Sequence, residues 1–338
     1  MTWKPPPRRR LGRDHGASRL MPARCRQARE VIGLLDARGT GRFHALSASL
    51  YGSSADPLPA GAPTLLGFAE RLSRLAGAAR EDEDLSREEQ CLDAVEAARR
   101  LAAGLGDYFG DPPVKVLVSD TLAANASVGG DCLELRQGAW FSERDVRLLE
   151  VHEGWVHLGT SRNSQRQPCS FLARPLPVAT RTQEGLAVWT EVLAFASHPA
   201  RLRLLAGRVE AVAIAERGGD FLDVFRHFGE LGCRPVEAYR QAARVFRGSL
   251  PSAGPFTKDL AYAHGFAEVG HFLGQAVTTR RMHLVPLLFA GKVSVADLPA
   301  LDELRRAGLA RLPESLPPPF ADARALAALV CLLAYPPQ

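Results

Sequence analysis

His152-Glu153-Gly154-Trp155-Val156-His157 is the stretch on which the reading of this chain turns, and Gln183-Glu184-Gly185-Leu186-Ala187 follows it. Two imidazoles, a carboxylate beside the first and another carboxylate on a later segment are the parts of a mononuclear zinc hydrolase. Catalytic zinc takes three protein ligands of nitrogen or oxygen type and keeps a fourth position for water. A carboxylate next to a ligand can then act as general base on that water. A second reading stays open here: a His-Glu pair with another histidine five residues on also arises by chance, each ring being an ordinary core or surface side chain.

The spacing is unusual. Histidines at i and i+4 share one helix face, whereas i and i+5 stand about 140° apart on an undistorted helix. One inserted residue, a π-bulge, would realign them, and Gly154 lowers the cost of that irregularity. The spacing therefore predicts a widened helix around Gly154–Val156. Ser142 and Asp145 read as a capping box opening this helix through Val146, Leu148, Leu149 and Val151, with Gly159 as its stop. Thr180 or Thr182 would cap the next helix and put Glu184 in its first turn. Glu191, seven residues further along the same face, either orients an imidazole as an outer acceptor or is a solvated helix charge.

At this point the residues match a family. Phe141–Ser142, the HExxxH segment, Asn163 with Gln167–Pro168, the QEGLA element, and Arg247-Gly248 followed by Phe256-Thr257-Lys258-Asp259-Leu260-Ala261-Tyr262 occur in consistent order over roughly residues 114–280. The combination resembles the bacterial QEGLA-motif proteins, nominally flavohaemoglobin-expression modulators, and the microtubule-associated tyrosine carboxypeptidases. The resemblance implies zinc held by His152, His157 and Glu184, with Glu153 as catalytic base and a protein or peptide C-terminus as substrate. Trp155 and Ser164 depart from the pattern, which bears on substrate choice.

A carboxypeptidase also needs a donor for the oxyanion and a cation for the substrate's terminal carboxylate. Tyr262 is the candidate donor, its other reading being a buried aromatic with a satisfied hydroxyl. Arg244, Arg247 and Lys258 flank the same motif and are the candidate carboxylate binders. His264, Glu268 and His271, at i, i+4 and i+7, form a possible second metal group or a packed helix face. His198, before Pro199, reads as a helix end.

Composition bounds the rest. The chain has 338 residues, 46% hydrophobic, and a net charge of +5. Residues 1–30 carry nine Lys/Arg against two acids, so the remainder is near neutral. That arm either touches nucleic acid or an acidic partner, or is a disordered, solvated tail; it lacks interleaved aromatics, and nucleic acid is not an expected partner. Cys25, Cys91, Cys132, Cys169, Cys233 and Cys331 form no CxxC pair, which fits a reducing compartment. No apolar segment follows the basic start, and Ala325–Tyr335 is too short for a membrane span. Cytoplasmic residence without a membrane partner is the expectation.

The fold class expected is α+β, predominantly helical, with a zincin-like metallopeptidase core and a small sheet beside the metal helix. Val114–Val118 and Cys132–Leu135 read as strands, and 130–136 either receives an extended peptide by strand addition or is a purely structural hairpin. Ser86 and Glu89 suggest a capped helix running to Gly104–Gly106. Further helices are expected near 200–217, 220–231, 235–246, 258–277, 297–307 and 321–334. The division expected is a basic arm over 1–30, a helical region over 31–110 and a catalytic domain over 111–338, with 50–64 as linker. The functional expectation is a zinc metallocarboxypeptidase; the alternative is a regulatory or scaffold protein with a structural metal.

Overall fold

The computed structural model describes residues 16–59, 63–80, 90–122 and 124–333. The architecture is predominantly helical α+β. Helices α1 (Gly16–Asp36), α2 (Arg42–Tyr51) and α3 (Leu65–Arg80) precede a two-residue strand β1 (Leu92–Asp93) and α4 (Ala94–Phe109). Strands β2 (Lys115–Ser119), β3 (Ala126–Gly129), β4 (Cys132–Arg136) and β5 (Trp140–Phe141) lead into the metal helix. That helix runs unbroken as α5 (Glu143–Leu149), a π-helical stretch (Glu150–Leu158) and α6 (Gly159–Gln165). Then come α7 (Pro177–Leu193), α8 (Pro199–Glu216), α9 (Phe221–Glu230), α10 (Pro235–Phe246), α11 (Ala261–Thr278), α12 (Leu298–Arg306), α13 (Pro318–Ala321) and α14 (Ala323–Leu333).

The two expected strands exist and pair, but in parallel, and β4 is the middle strand of a sheet ordered β2-β4-β3. Its hairpin partner is β3, joined through Gly130, whose φ of 60° suits glycine. The sequence Ala126-Ser127-Val128-Gly129 alternates over only four residues, all small but one valine, too short a run to announce this strand. Because β4 is bonded on both sides, 130–136 has no free edge for an added peptide, and the strand-addition reading of that segment is corrected.

Two other expectations shift. Residues 16–30, expected in the basic arm, belong to α1, where Leu20 enters the core and Arg24 donates to the carbonyls of Phe171 and Lys292. The Ser86–Glu89 cap lies outside the described residues; α4 instead begins at Ala94, where Asp93 Oδ1 accepts from the amides of Val95 and Glu96. Its buried face, Ala94, Ala97, Ala98, Leu101 and Leu105, has helical spacing and packs on the metal helix.

The metal helix is wedged between two apolar clusters. Val151, Trp155 and Leu158 join α4 and the sheet, while Val156 joins a cluster with α7, α11 and the segment 284–301. At its start, Leu92 pairs Phe141 and Asp93 pairs Trp140, fixing Ser142 as cap. At its far end, Asn163 Nδ2 donates to the carbonyls of Phe289 and Ser315 while its Oδ1 accepts from the amides of Glu314 and Ser315. Among the described residues, no helix is long and apolar enough to cross a membrane.

Candidate metal centre

The helix is widened where the spacing predicted, and over a longer run, Glu150–Leu158. The Gly159 amide donates to Gly154 O, five residues back. This register turns both rings to one side, with His152 Nε2 and His157 Nε2 3.2 Å apart. Gly154 contributes more than conformational freedom: a Cβ there would fall 2.3 Å from Leu105 Cδ2, so its bareness lets α4 press onto the helix.

Glu184 arrives from α7, which begins at Pro177, earlier than either threonine cap would have it; Thr180 Oγ1 donates back to Leu176 O. The QEGLA element has a physical reading residue by residue. Gln183 Oε1 accepts from the Thr160 hydroxyl at 2.7 Å, tying α7 to the metal helix. Gly185 meets Gly265 of α11 with no room between: a Cβ on Gly185 would lie 2.1 Å from Gly265 backbone atoms, and one on Gly265 1.9 Å from Arg181 O. Leu186 and Ala187 are fully buried. Glu184, between Gln183 and Gly185, points at the histidines.

Oε2 of Glu184 stands 3.4 Å from His152 Nε2 and 3.5 Å from His157 Nε2, yet it is buried and accepts no hydrogen bond. Donors placed tetrahedrally about 2.0–2.1 Å from a zinc ion are about 3.3–3.4 Å from one another. The triangle of 3.2, 3.4 and 3.5 Å therefore fits a small tetrahedral cation with one position open. Among the described residues this is the one group of three such donors that meet closely enough. His264 instead faces Asp56 at 3.5 Å, and Glu268 accepts from Thr182. A cavity of about 360 Å³ lies there, bordered by Asp56, Arg181, His264 and Glu268 but by none of the three donors; the donor chemistry, not the cavity, marks the site.

The outer groups favour positive charge. Glu191 is fully buried, and its Oε1 lies 2.5 Å from His152 Nδ1, leaving Nε2 of that ring for a metal. Arg201 donates to the same carboxylate at 2.9 and 3.2 Å. Burial alone would favour neutral His152, but Glu184, Glu191 and Glu153 raise it to about 10. Burial likewise would push the Glu184 carboxyl up, and the two imidazoles hold it well below its usual range. Glu153 is half-buried, and among the described residues no hydrogen bond or ion pair engages its carboxylate.

Lys292 was not singled out by sequence reasoning. Its Nζ donates to His157 O at 3.1 Å and to Thr160 Oγ1 at 2.9 Å, and burial, partly offset by Glu184 and Glu153, lowers it to about 8. The available signal was compositional: lysine is rare in this chain, where nearly every basic residue is arginine.

A family model described as microtubule-associated tyrosine carboxypeptidase matches residues 7–335. The chain belongs to that family. A search of curated proteins returned no match.

For a microtubule-associated tyrosine carboxypeptidase family member, the surroundings of Tyr262 matter next. Its ring lies 6.4 Å from that of His152, at 30°. Burial, then Glu184, raises its hydroxyl to about 12, so it is a neutral donor at neutral pH. Arg244 donates to both oxygens of Asp259 at 2.7 Å, a complete fork-to-carboxylate pair. Arg247 lies over the Phe256 ring at 5.8 Å, and Lys258 is half-buried beside Asp259. The guanidinium of Arg208, on α8, lies over the Tyr262 ring, 5.0 Å from its centroid. Sequence reasoning passed over it, as nothing separates it from the chain's many other arginines.

Proposed function

We propose that this chain is a zinc-dependent metallocarboxypeptidase with a zincin-like core, acting in the cytoplasm on the C-terminal peptide bond of a protein or peptide. The observation that carries the reading is a buried triangle of two imidazole nitrogens and an orphaned carboxylate oxygen, 3.2–3.5 Å on each side, with an unengaged carboxylate next to it in sequence. Membership of a carboxypeptidase family supports the reaction class. His152, His157 and Glu184 would hold the ion, and Glu191 and Lys292 position the helix that carries the imidazoles.

Bound there, zinc would supply Lewis acidity, polarising a carbonyl and bringing the pKa of a coordinated water towards about 7. Glu153 takes the proton that the attacking water loses. As the carbon–nitrogen bond breaks, the same carboxyl returns that proton to the leaving amine. The Tyr262 hydroxyl, protonated at neutral pH, donates to the substrate oxyanion. A structural site has no use for a free carboxylate beside a ligand, and among the described residues no fourth donor closes the group.

The test is Glu153→Gln. Purified variant is expected to retain one zinc per chain by elemental analysis while release of the C-terminal residue falls about 10²–10⁴-fold. Undiminished cleavage would remove Glu153 from the mechanism.

A further inference from the structure

Three guanidiniums lie close to Tyr262. Arg201 and Arg208 lie seven residues apart, on one face of α8, and Arg244 comes from α10. Arg201 is paired with Glu191, and Arg244 with Asp259. Arg208 has no such partner. It is 7% exposed, its guanidinium rests on the Tyr262 ring, and among the described residues its one hydrogen bond runs from Nε to Gln241 Oε1 at 3.2 Å. A buried charge ordinarily has a counter-charge or a ligand. Burial and the neighbouring Arg244 both weigh against its positive charge, with Asp259 only partly offsetting them. The fork of Arg244 is already filled by Asp259, whereas the terminal nitrogens of Arg208 are left for something else.

We propose that Arg208 anchors a carboxylate of the substrate, receiving it as a two-pronged hydrogen-bonded pair beside Tyr262. This rests on the hydrolase reading of the metal centre and deepens it by assigning the substrate's anionic group to one side chain. The Tyr262 ring packs against both His152 and Arg208. A carboxylate held there is thus one ring away from the imidazoles, and a terminal residue spans only about 3.8 Å of backbone. Two sources share the chemistry, the chain's own α-carboxylate and an acidic side chain close to it.

Zinc-loaded full-length Glu153→Gln protein is titrated with three fluorescent heptapeptide pools varied at the last position. One pool has a free C-terminal acid, one an amide, and one an amide with glutamate next to last. Anisotropy is expected to show at least tenfold tighter binding of a carboxylate-bearing pool than of the plain amide. Adding Arg208→Met should abolish that preference, with zinc content and melting temperature unchanged. The preferred pool tells which carboxylate is held; either answer supports the anchor. A preference that survives Arg208→Met, or equal binding of all three pools, overturns it. Should Arg208→Met fail to fold, Arg208→Lys decides, because it keeps charge and stem but loses the fork: at least threefold loss of preference supports the anchor, and no change overturns it. Residue release from the free-acid pool by unmodified protein is scored separately. Release with equal binding sinks the anchor alone; preference without release sinks the hydrolase reading and leaves a carboxylate site.

Discussion

The two groups of charged side chains near Tyr262 each leave one group unmet, and the two are of opposite kind. On the metal side, Glu153 and Glu184 lie near His152, His157 and Lys292, and Glu184 Oε2 is left without a hydrogen bond. On the arginine side, Arg201 pairs with Glu191 and Arg244 with Asp259, while among the described residues the terminal nitrogens of Arg208 make no hydrogen bond. Neither is comfortable in a protein interior, where an unpartnered polar group is costly. Together they describe the occupants that would relieve both: a divalent ion against the imidazoles and a carboxylate against the arginines. A buried polar group that the chain itself leaves without a partner is thus a ligand signature with a sign. Experiments that shift one side without the other test whether that division is real.

The largest effect is expected from removing a donor on the metal side. His157→Ala should lower zinc to near zero per chain and abolish residue release. Its ring is only part-buried, at 16% side-chain exposure, so circular dichroism should remain helical. A variant that still binds one zinc per chain would mean that the triangle is not the metal site.

Next in size is a break on the arginine side. Asp259→Asn leaves Arg244 without its paired carboxylate, and losing one partner of a buried pair costs about 3–5 kcal/mol. The pH dependence has a definite sign. Burial would raise Asp259, but Arg244, then Arg208 and Lys258, hold it down at about 2, below its unfolded value near 3.8. The stabilisation is present above about pH 4 and is lost as pH falls towards 2. Urea unfolding should therefore show the gap between unmodified protein and variant narrowing from pH 5 to pH 2.5. A gap constant across that range would show that the pair carries no charge-dependent stability.

How much of each side the sequence disclosed follows from how local its determinants are. The five-residue histidine spacing can be read directly as a distorted helix, because a metal geometry and a helical repeat are both fixed quantities. The distortion extends over Glu150–Leu158, beyond the turn around Gly154, since a shifted hydrogen-bond register carries into the neighbouring turns. Glu191 could be placed from its helical spacing behind Glu184. By contrast, the reason for Gly185 is Gly265, eighty residues on in another helix, and no spacing rule joins them. Likewise β3 alternates over only four mostly small residues, and α1 is masked by its arginines and Pro22. The arginine side was the least legible: Arg208 differs from the chain's other arginines only in what the fold leaves it without.

Glu191 is where the two sides meet, and it offers the sharpest small test. It accepts from His152 Nδ1 and from Arg201 at once, so one carboxylate serves both the imidazole and the guanidinium. Burial disfavours its charge, yet Arg201 and His152 hold it down at about 2, so it is an anion at any working pH. Glu191→Gln keeps the shape and an accepting oxygen while removing the charge. Loss of such an outer partner typically weakens metal binding about 10–100-fold, and chelator competition should read that drop as faster zinc loss with the triangle intact. If the arginine side is independent, the carboxylate preference measured with the peptide pools should stay within a factor of about two, since Arg208 takes nothing from Glu191. Unchanged zinc affinity would reduce Glu191 to a partner of Arg201 alone. A preference lost together with the zinc would instead make the two sides a single charged network, and the contrast between them would no longer hold.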